Sequence, residues 1–210
     1  METYTLPFIP PNVGTLHIAY FEDVTNAAAI KQRLVDAART EGPDGERARA
    51  DVDFAFIDAD LLVSKQHLVT ALLSTLLTSL PQTRAATLPA PPTPRTRTHN
   101  LHSEVLCALS PNNNISDAIR RFGVGGDTTR LVVVRFGGAR PAADVYASIA
   151  DVVHGRLESV DKLDEVHVPW ARVDKVYKVA EMNQLKIPPA EREAAKRAAI
   201  VSAVAVKHAM

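Results

Sequence analysis

The chain has 210 residues, of which 46% are hydrophobic and 23% are charged, an ordinary composition for a globular protein with a sizeable core. Its 24 basic and 24 acidic residues cancel, which excludes a global positive field, so any nucleic-acid binding must come from a local patch. A single cysteine, no signal-peptide pattern and no apolar run of about 18 residues predict a soluble protein of a reducing, intracellular compartment.

The N-terminal part alternates apolar runs with turn residues. Residues 1–14 contain three prolines and are predicted to be irregular. The pattern then predicts, in order, a strand at 16–21, a helix at 27–39 capped by Asn26 or Thr25, a surface loop at 40–51, a strand at 53–57 and a helix at 64–80.

Five prolines lie between Pro81 and Pro94. This composition favours an extended linker that cannot build a core, so we interpret it as a loop insertion. A Pro-x-x-Pro motif at 89–94 could recruit an SH3-like module, but a spacer is the simpler interpretation.

The middle of the chain is predicted to form a strand, a helix and a strand. Residues 105–109 and 131–136 are short, unbroken apolar runs, as in buried strands. Between them, apolar residues recur at helical spacing over 115–122.

The ends of this helix also have sequence signals. Asn114 is predicted to cap it, Asp117 to complete a capping box, and Gly123 to end it in the left-handed conformation.

The C-terminal part begins with a predicted helix at 142–153 and an irregular, charged passage at 155–169. For residues 173–181 the pattern leaves a short helix and an extended segment equally open. Pro188 and Pro189 open a last helix at 190–207, because proline is tolerated in the first turn. We therefore predict an α/β (α+β) fold in one domain, residues 1–210. It has a small mixed central sheet of about four strands covered by helices, a C-terminal helix, and loop insertions at about 40–51 and 81–96.

Signals for catalysis are weak. Asp58 and Asp60 could be a metal pair, but carboxylates are also common where a strand leads into a helix. His99 and His102 would face opposite sides of a strand, so a zinc site is not expected. Cys107 lies in an apolar run with no identifiable partner, which indicates a structural thiol. A binding module without cofactor or metal is therefore favoured over an enzyme.

Two surfaces could carry binding. Basic residues and amides flank the central unit, where they could hold phosphates and bases; the alternative is a solvated helix face with turn-forming asparagines. They are Arg95, Arg97, His99, Arg120, Arg121 and Asn112–Asn114. The alanine-rich last helix could pack on the protein's own sheet, enter a partner's groove, or do both with opposite faces.

Several segments of this chain resemble the signature of a known family. They are Asn100-Leu101-x-Ser103-Glu104, Leu109-Ser110-Pro111-Asn112-Asn113-Asn114-Ile115-Ser116, Phe122-Gly123-Val124, Phe54-Ala55-Phe56-Ile57-Asp58 and Val173-x-Lys175-Val176-Tyr177-Lys178-Val179. The chain resembles the kinase-binding subunit of the KEOPS (EKC) complex, the CGI-type or TPRKB family, in its fungal form. The match spans most of the chain apart from the two insertions.

The resemblance implies a non-catalytic subunit that binds and stimulates a small atypical kinase with ATPase activity. Through that kinase it would meet the subunit that transfers threonylcarbamoyl to the adenosine next to the tRNA anticodon, and it would help recruit tRNA by its 3′ tail. Location in nucleus and cytoplasm, and roles in telomere maintenance and transcription, are further expectations. The rival class is a stand-alone α/β protein that binds a small molecule or nucleotide.

We hypothesise two sets of site residues. The tRNA-facing set is Arg97, Asn100, Asn113, Arg120 and Arg121. The kinase-facing set is Tyr177, Ile200 and Val204, on the late segment and the last helix.

Overall fold

A computed structural model of the chain describes residues 1–80, 95–98, 100–138 and 140–207. The α/β class is confirmed, and the described residues form two compact units that alternate along the sequence. Unit 1 is built from Met1–Asp58 and Gly123–Val160, and unit 2 from Ala59–Leu80, 95–122 and 161–207. Most of the predicted 81–96 insertion lies outside the described residues.

Unit 1 contains the sheet. Its five strands are β1 Glu2–Thr5, β2 Thr15–Glu22, β3 Ala55–Asp58, β4 Leu131–Gly137 and β5 Arg156–Glu158. The order is β1-β2-β4-β3, and β5 also pairs with β2. Every pairing among these strands is antiparallel, so the sheet is not mixed as predicted. It also has one strand more than the predicted four. Residues 1–14, predicted to be irregular, contribute β1.

Eight α-helices occur in the described residues. They are α1 Ala27–Arg39, α2 Gly42–Asp51, α3 Lys65–Ser79, α4 Leu101–Leu109, α5 Ile115–Phe122, α6 Ala142–Ala150, α7 Trp170–Tyr177 and α8 Pro189–Val206. None of them is both long and apolar enough to cross a membrane.

The core of unit 1 lies on one face of the sheet. Because side chains alternate along a strand, Phe21 of β2 and Val133 of β4 point to the same side. There they pack with Ile30 of α1 and with Val145 and Ile149 of α6. The predicted helix at 27–39 is confirmed, but Asn26 does not cap it through its side chain. Instead the Asn26 amide bonds Val152 O and His154 N, which ties α1 to the end of α6.

The loop predicted at 40–51 is wrong, because most of it is helix α2. Gly42 and Pro43, which suggested a loop, lie at the start of this helix. Gly42 has φ of 71°, and Pro43 lies in the first turn, where its missing N–H costs nothing. A β-carbon at Gly45 would lie 1.9 Å from Thr40 O, so this glycine permits a close backbone approach.

Unit 2 is helical, and α3 packs against both α4 and α8. Ser64 caps α3, as its hydroxyl accepts from His67 N at 3.0 Å. The leucines of α3 that face inward, Leu68, Leu72 and Leu76, are fully buried. The helix predicted at 64–80 is confirmed, although Leu73 and Leu77 of its apolar stripe are 37% and 61% exposed.

The strand predicted at 105–109 is wrong, because these residues belong to α4. All of Val105–Leu109 is buried, so no polar position reveals the helical period. The overlooked signal is Asn100, whose side-chain oxygen accepts from Ser103 N at 2.9 Å and starts the helix.

The next two predicted elements are confirmed as α5 and β4. Asn114 Oδ1 accepts from Asp117 N at 3.0 Å, as predicted for a cap. Gly123 is not in the left-handed conformation; it forms an isolated antiparallel bridge with Ile57.

The C-terminal predictions are largely confirmed. The helix at 142–153 forms as α6, although it ends at Ala150, and the last helix forms as α8. Residues 155–169 include β5 and a 3-10 turn at Val160–Asp164. The question left open at 173–181 is settled as helix, because α7 covers Trp170–Tyr177.

Candidate functional site

The segment that precedes α4 is held by a buried carboxylate. Glu104 Oε2 accepts hydrogen bonds from Arg97 N, Thr98 N and Thr98 Oγ1, each at 3.0 Å. Glu104 is buried, whereas Arg97 is exposed. The backbone of Arg97 is thus fixed while the residue stays accessible to solvent. Sequence reasoning missed the role of Glu104, although it belongs to the Asn-Leu-x-Ser-Glu motif.

Asn100 has a structural role. Its side-chain oxygen caps α4, and its carbonyl accepts from Thr98 Oγ1 at 2.9 Å. The residue itself is exposed, next to the segment that carries Arg97.

The loop between α4 and α5, Ser110–Asn114, is held by its own side chains. Asn112 Oδ1 accepts from Asn114 N at 3.0 Å, and Ser110 Oγ lies 3.2 Å from the same oxygen. Asn114 uses its side-chain oxygen to cap α5. Asn113 is exposed, and no side-chain hydrogen bond joins it to the described residues. Of the three asparagines, Asn113 is therefore the one available to a ligand.

Asp117 organises the two arginines of α5. Its carboxylate bonds Asn112 Nδ2 at 2.9 Å and Arg121 Nε at 2.7 Å, and it also pairs with Arg120. These hydrogen bonds, of which the one from Asn112 contributes most to the shift, hold the pKa of Asp117 well below its usual range. Asp117 does not form the predicted capping box. It links the loop to α5 and leaves Arg120 the more accessible arginine, with 75% of its side chain exposed against 38% for Arg121.

The C-terminal end of α8 reaches the same loop. Lys207 Nζ donates to the carbonyl oxygens of Cys107, of Ser110 at 2.8 Å and of Asn112 at 2.9 Å. Nothing in the spacing of the sequence places Lys207 near residues about 100 positions earlier, so sequence reasoning did not find it.

The charge of Arg97 acts on Cys107 and on Lys207. Burial raises the pKa of the Cys107 thiol and lowers the pKa of the Lys207 ammonium, and the guanidinium of Arg97 acts on both groups. Lys207 in turn bonds the loop that carries Asn113. Within unit 2 the predicted tRNA-facing residues therefore lie on connected segments: Arg97 and Asn100 before α4, Asn113 after it, and Arg120 and Arg121 on α5. This arrangement presents cations and an amide, groups that bind phosphates and base edges.

The predicted kinase-facing residues, unlike Arg97 and Asn113, are buried. Ile200 and Val204 are 0% and 2% exposed, on the side of α8 that packs in unit 2, and Tyr177 is also buried. The Tyr177 hydroxyl donates to Leu109 O at 2.8 Å and lies 3.1 Å from His67 Nε2. These three side chains stabilise the fold of unit 2, so a partner cannot touch them without opening its core.

The opposite face of α8 is accessible. It carries small side chains at a spacing of four residues: Ala190, Ala194, Ala198, Ser202 and Val206, all of them exposed. Residues four apart lie one above the other on a helix, so these five form a continuous row, which we call the outer row of α8.

Other residues considered for chemistry have structural partners. Asp60 pairs with Arg172 at 3.5 Å. His102 is a buried residue of α4 and not of a strand, and His99 lies outside the described residues. In the part of the chain that the structure describes, no three His, Cys, Asp or Glu side chains are grouped so as to hold a metal ion.

Known proteins are similar to this chain over most of its length. Residues 21–208 match the family model described as kinase binding protein CGI-121. The chain is 46% identical to an EKC/KEOPS complex subunit CGI121 of Cryptococcus neoformans, over 99% of both chains. Relatives with the same printed name in Aspergillus terreus and Gibberella zeae are 30% and 32% identical, over 91% and 89% of this chain and 85% of theirs. The chain therefore belongs to the CGI-121 family of kinase-binding proteins.

Proposed function

We propose that this chain is a non-catalytic subunit of a KEOPS/EKC complex. It binds and stimulates the small atypical kinase with ATPase activity, and through it meets the threonylcarbamoyl-transferring subunit. It also helps recruit tRNA by the 3′ tail for modification of the adenosine next to the anticodon. The observation that carries the proposal is the match of residues 21–208 to a kinase-binding family, together with relatives named as EKC/KEOPS subunits.

The outer row of α8 is the proposed kinase contact. The buried face of the same helix is occupied by Lys196, Ile200 and Val204, which leaves the outer row for a partner. Small side chains let a second backbone approach closely and lose little rotamer entropy on binding. The proposal keeps the last helix of the sequence-based hypothesis but moves the contact to its other face.

The test places a charge in the outer row. Ala198→Glu would bury an unpaired carboxylate against the kinase, and we expect the Kd measured by calorimetry to rise about 100-fold, equivalent to roughly 3 kcal/mol. The matched control is Ala29→Glu at an exposed alanine of α1, which leaves the affinity unchanged. Both variants should melt within a few degrees of the wild type. Tight kinase binding by folded Ala198→Glu would remove the outer row from the interface.

The proposed tRNA contact comprises Arg97, Asn100, Asn113, Arg120 and Arg121. Arg97 and Arg120 are its more accessible cations: Arg120 and Arg121 both pair with Asp117, but the Arg120 side chain is 75% exposed against 38% for Arg121. Each phosphate that a cation neutralises on a single strand contributes about 0.7 to the slope of log K against log salt concentration.

The double substitution Arg97→Gln and Arg120→Gln should therefore weaken binding to tRNA with an intact 3′ tail and reduce that slope by about 1.4. The control removes two charges from α1 by Lys31→Gln and Arg39→Gln, at exposed positions. Equal slopes for the two double variants across a salt titration would reject the proposed tRNA surface.

A further inference from the structure

Lys207 is held in an unusual way for a residue at the end of a helix. All three acceptors of its ammonium are backbone carbonyls, those of Cys107, Ser110 and Asn112. An ammonium group has three donors, so the three bonds use all of them. Lys207 is also partly buried, unlike a freely solvated surface lysine.

The carbonyls that Lys207 bonds lie at the end of α4 and in the loop that follows it. Cys107 belongs to the last turn of α4, and its carbonyl also accepts from Ser110 N at 3.2 Å; a cation at this position complements the helix dipole. Ser110 and Asn112 extend the acceptor set into the loop. One ammonium thus joins three carbonyls of the segment in which the chain turns from α4 into the loop.

The other hydrogen bonds of the loop come from the loop itself and from its two flanking helices. Pro111–Asn114 are all exposed, so no apolar side chain anchors them. Their other bonds, such as Asn114 N to Asn112 Oδ1, are local to the loop and to α5. The hydrogen bonds from Lys207 join the loop to a different element, α8.

We propose that Lys207 is a positioning residue for RNA binding, which holds the Ser110–Asn114 loop so that Asn113 and the Asn112–Asp117–Arg121 chain face the tRNA tail. This inference rests on the tRNA part of the proposed function. Lys207 itself does not contact the RNA in this scheme, because its three donors are occupied by the loop. When the ammonium is removed, the carbonyls turn to water and the loop loses its fixed orientation.

The first measurement follows the loop without any RNA. In Lys207→Met, which keeps most of the stem and removes the charge, amide hydrogen exchange should accelerate on the order of tenfold in peptides covering 110–117, with α3 and β4 unchanged. The matched control Lys186→Met removes an exposed lysine of unit 2 and should leave the loop unaffected.

The second measurement is binding of tRNA with an intact 3′ tail, which should weaken on the order of tenfold in Lys207→Met and not in Lys186→Met. Chemical rescue separates positioning from general charge. Lys207→Ala lacks three carbons and the nitrogen, so propylammonium should restore part of both loop protection and affinity. Tetramethylammonium at the same ionic strength carries the charge without N–H donors and should restore neither.

The outcomes are distinguishable. Unchanged exchange in Lys207→Met, or faster exchange with unchanged RNA affinity, overturns the positioning role. Equal rescue by the two ammonium ions overturns it as well, because charge alone would then account for the effect. If wild-type protein fails to prefer tRNA with the tail over tRNA without it, the proposed tRNA function itself fails, whatever the loop does.

Discussion

The Tyr177 hydroxyl and the His67 imidazole form a buried chain of hydrogen bonds with a defined direction. Val63 N donates to His67 Nδ1 at 3.4 Å, so the proton of the neutral ring is on Nε2. Nε2 then donates to Tyr177 Oη, 3.1 Å away, and Tyr177 donates to Leu109 O. The chain joins α3, α7 and α4 inside unit 2. It also explains why Tyr177, predicted from sequence to meet a partner, is directed inward.

Because His67 is buried in this chain of hydrogen bonds, we expect the protein to lose stability in mild acid. Burial lowers the pKa of His67 from 6.5 to about 3, so the unfolded state binds a proton that the folded state rejects. The stabilisation is complete above pH 6.5 and is lost as the pH falls towards 3, by up to about 1.4 kcal/mol per pH unit. Denaturant titrations of wild type and His67→Gln between pH 7 and 4.5 measure it, since glutamine keeps a donor and an acceptor but does not titrate. If the free energies of unfolding of the two proteins changed with pH in parallel, the lowered pKa of His67 would be contradicted.

Removing the Tyr177 hydroxyl should destabilise the protein without creating a large cavity. In Tyr177→Phe, Leu109 O and His67 Nε2 lose a buried partner, and we expect the free energy of unfolding to fall by about 1–3 kcal/mol. The control is Tyr146→Phe on α6, where the ring is 37% exposed and the change should be close to zero. Equal stability of both variants in urea denaturation would show that the bonds contribute nothing net.

A buried ion pair joins α7 to α8. Lys196 Nζ lies 2.7 and 2.8 Å from the carboxylate oxygens of Asp174, with side-chain exposures of 3% and 10%. Asn183 also donates to Asp174, and the Lys196 ammonium lies 4.9 Å from the centre of the Trp170 ring. Lys196→Met leaves a buried carboxylate without its counter-ion, and we expect a loss of about 3–5 kcal/mol.

The matched variant removes both charges. Lys196→Met with Asp174→Leu should be more stable than Lys196→Met alone, because apolar groups of similar volume can replace a buried pair at little cost. Calorimetric melting of the two single variants and the double variant gives the coupling energy. Additive losses would mean that Asp174 and Lys196 do not depend on each other.

Local sequence signals were sufficient to predict an element where the residue types and the spacing of apolar residues indicate the same structure. The helix at 27–39, the cap at Asn114, the run that became β4 and the prolines that open α8 each depend on residues a few positions apart. The same signals failed at 105–109, where uniform burial removes the period that separates a helix from a strand. They failed at 40–51 because glycine and proline mark helix starts as well as loops.

By itself the sequence determined the α/β class and most element positions, because these follow from residue type and short-range spacing. The family came from the resemblance of its motifs to those of known proteins. Only the tertiary structure decided which side chains are accessible. It directed Tyr177, Ile200 and Val204 inward, left Ala198 and Asn113 outside, and brought Lys207 to carbonyls about 100 residues away. Burial and long-range contact depend on how helices pack against one another, and the periodicity of one helix does not specify which neighbour covers which face.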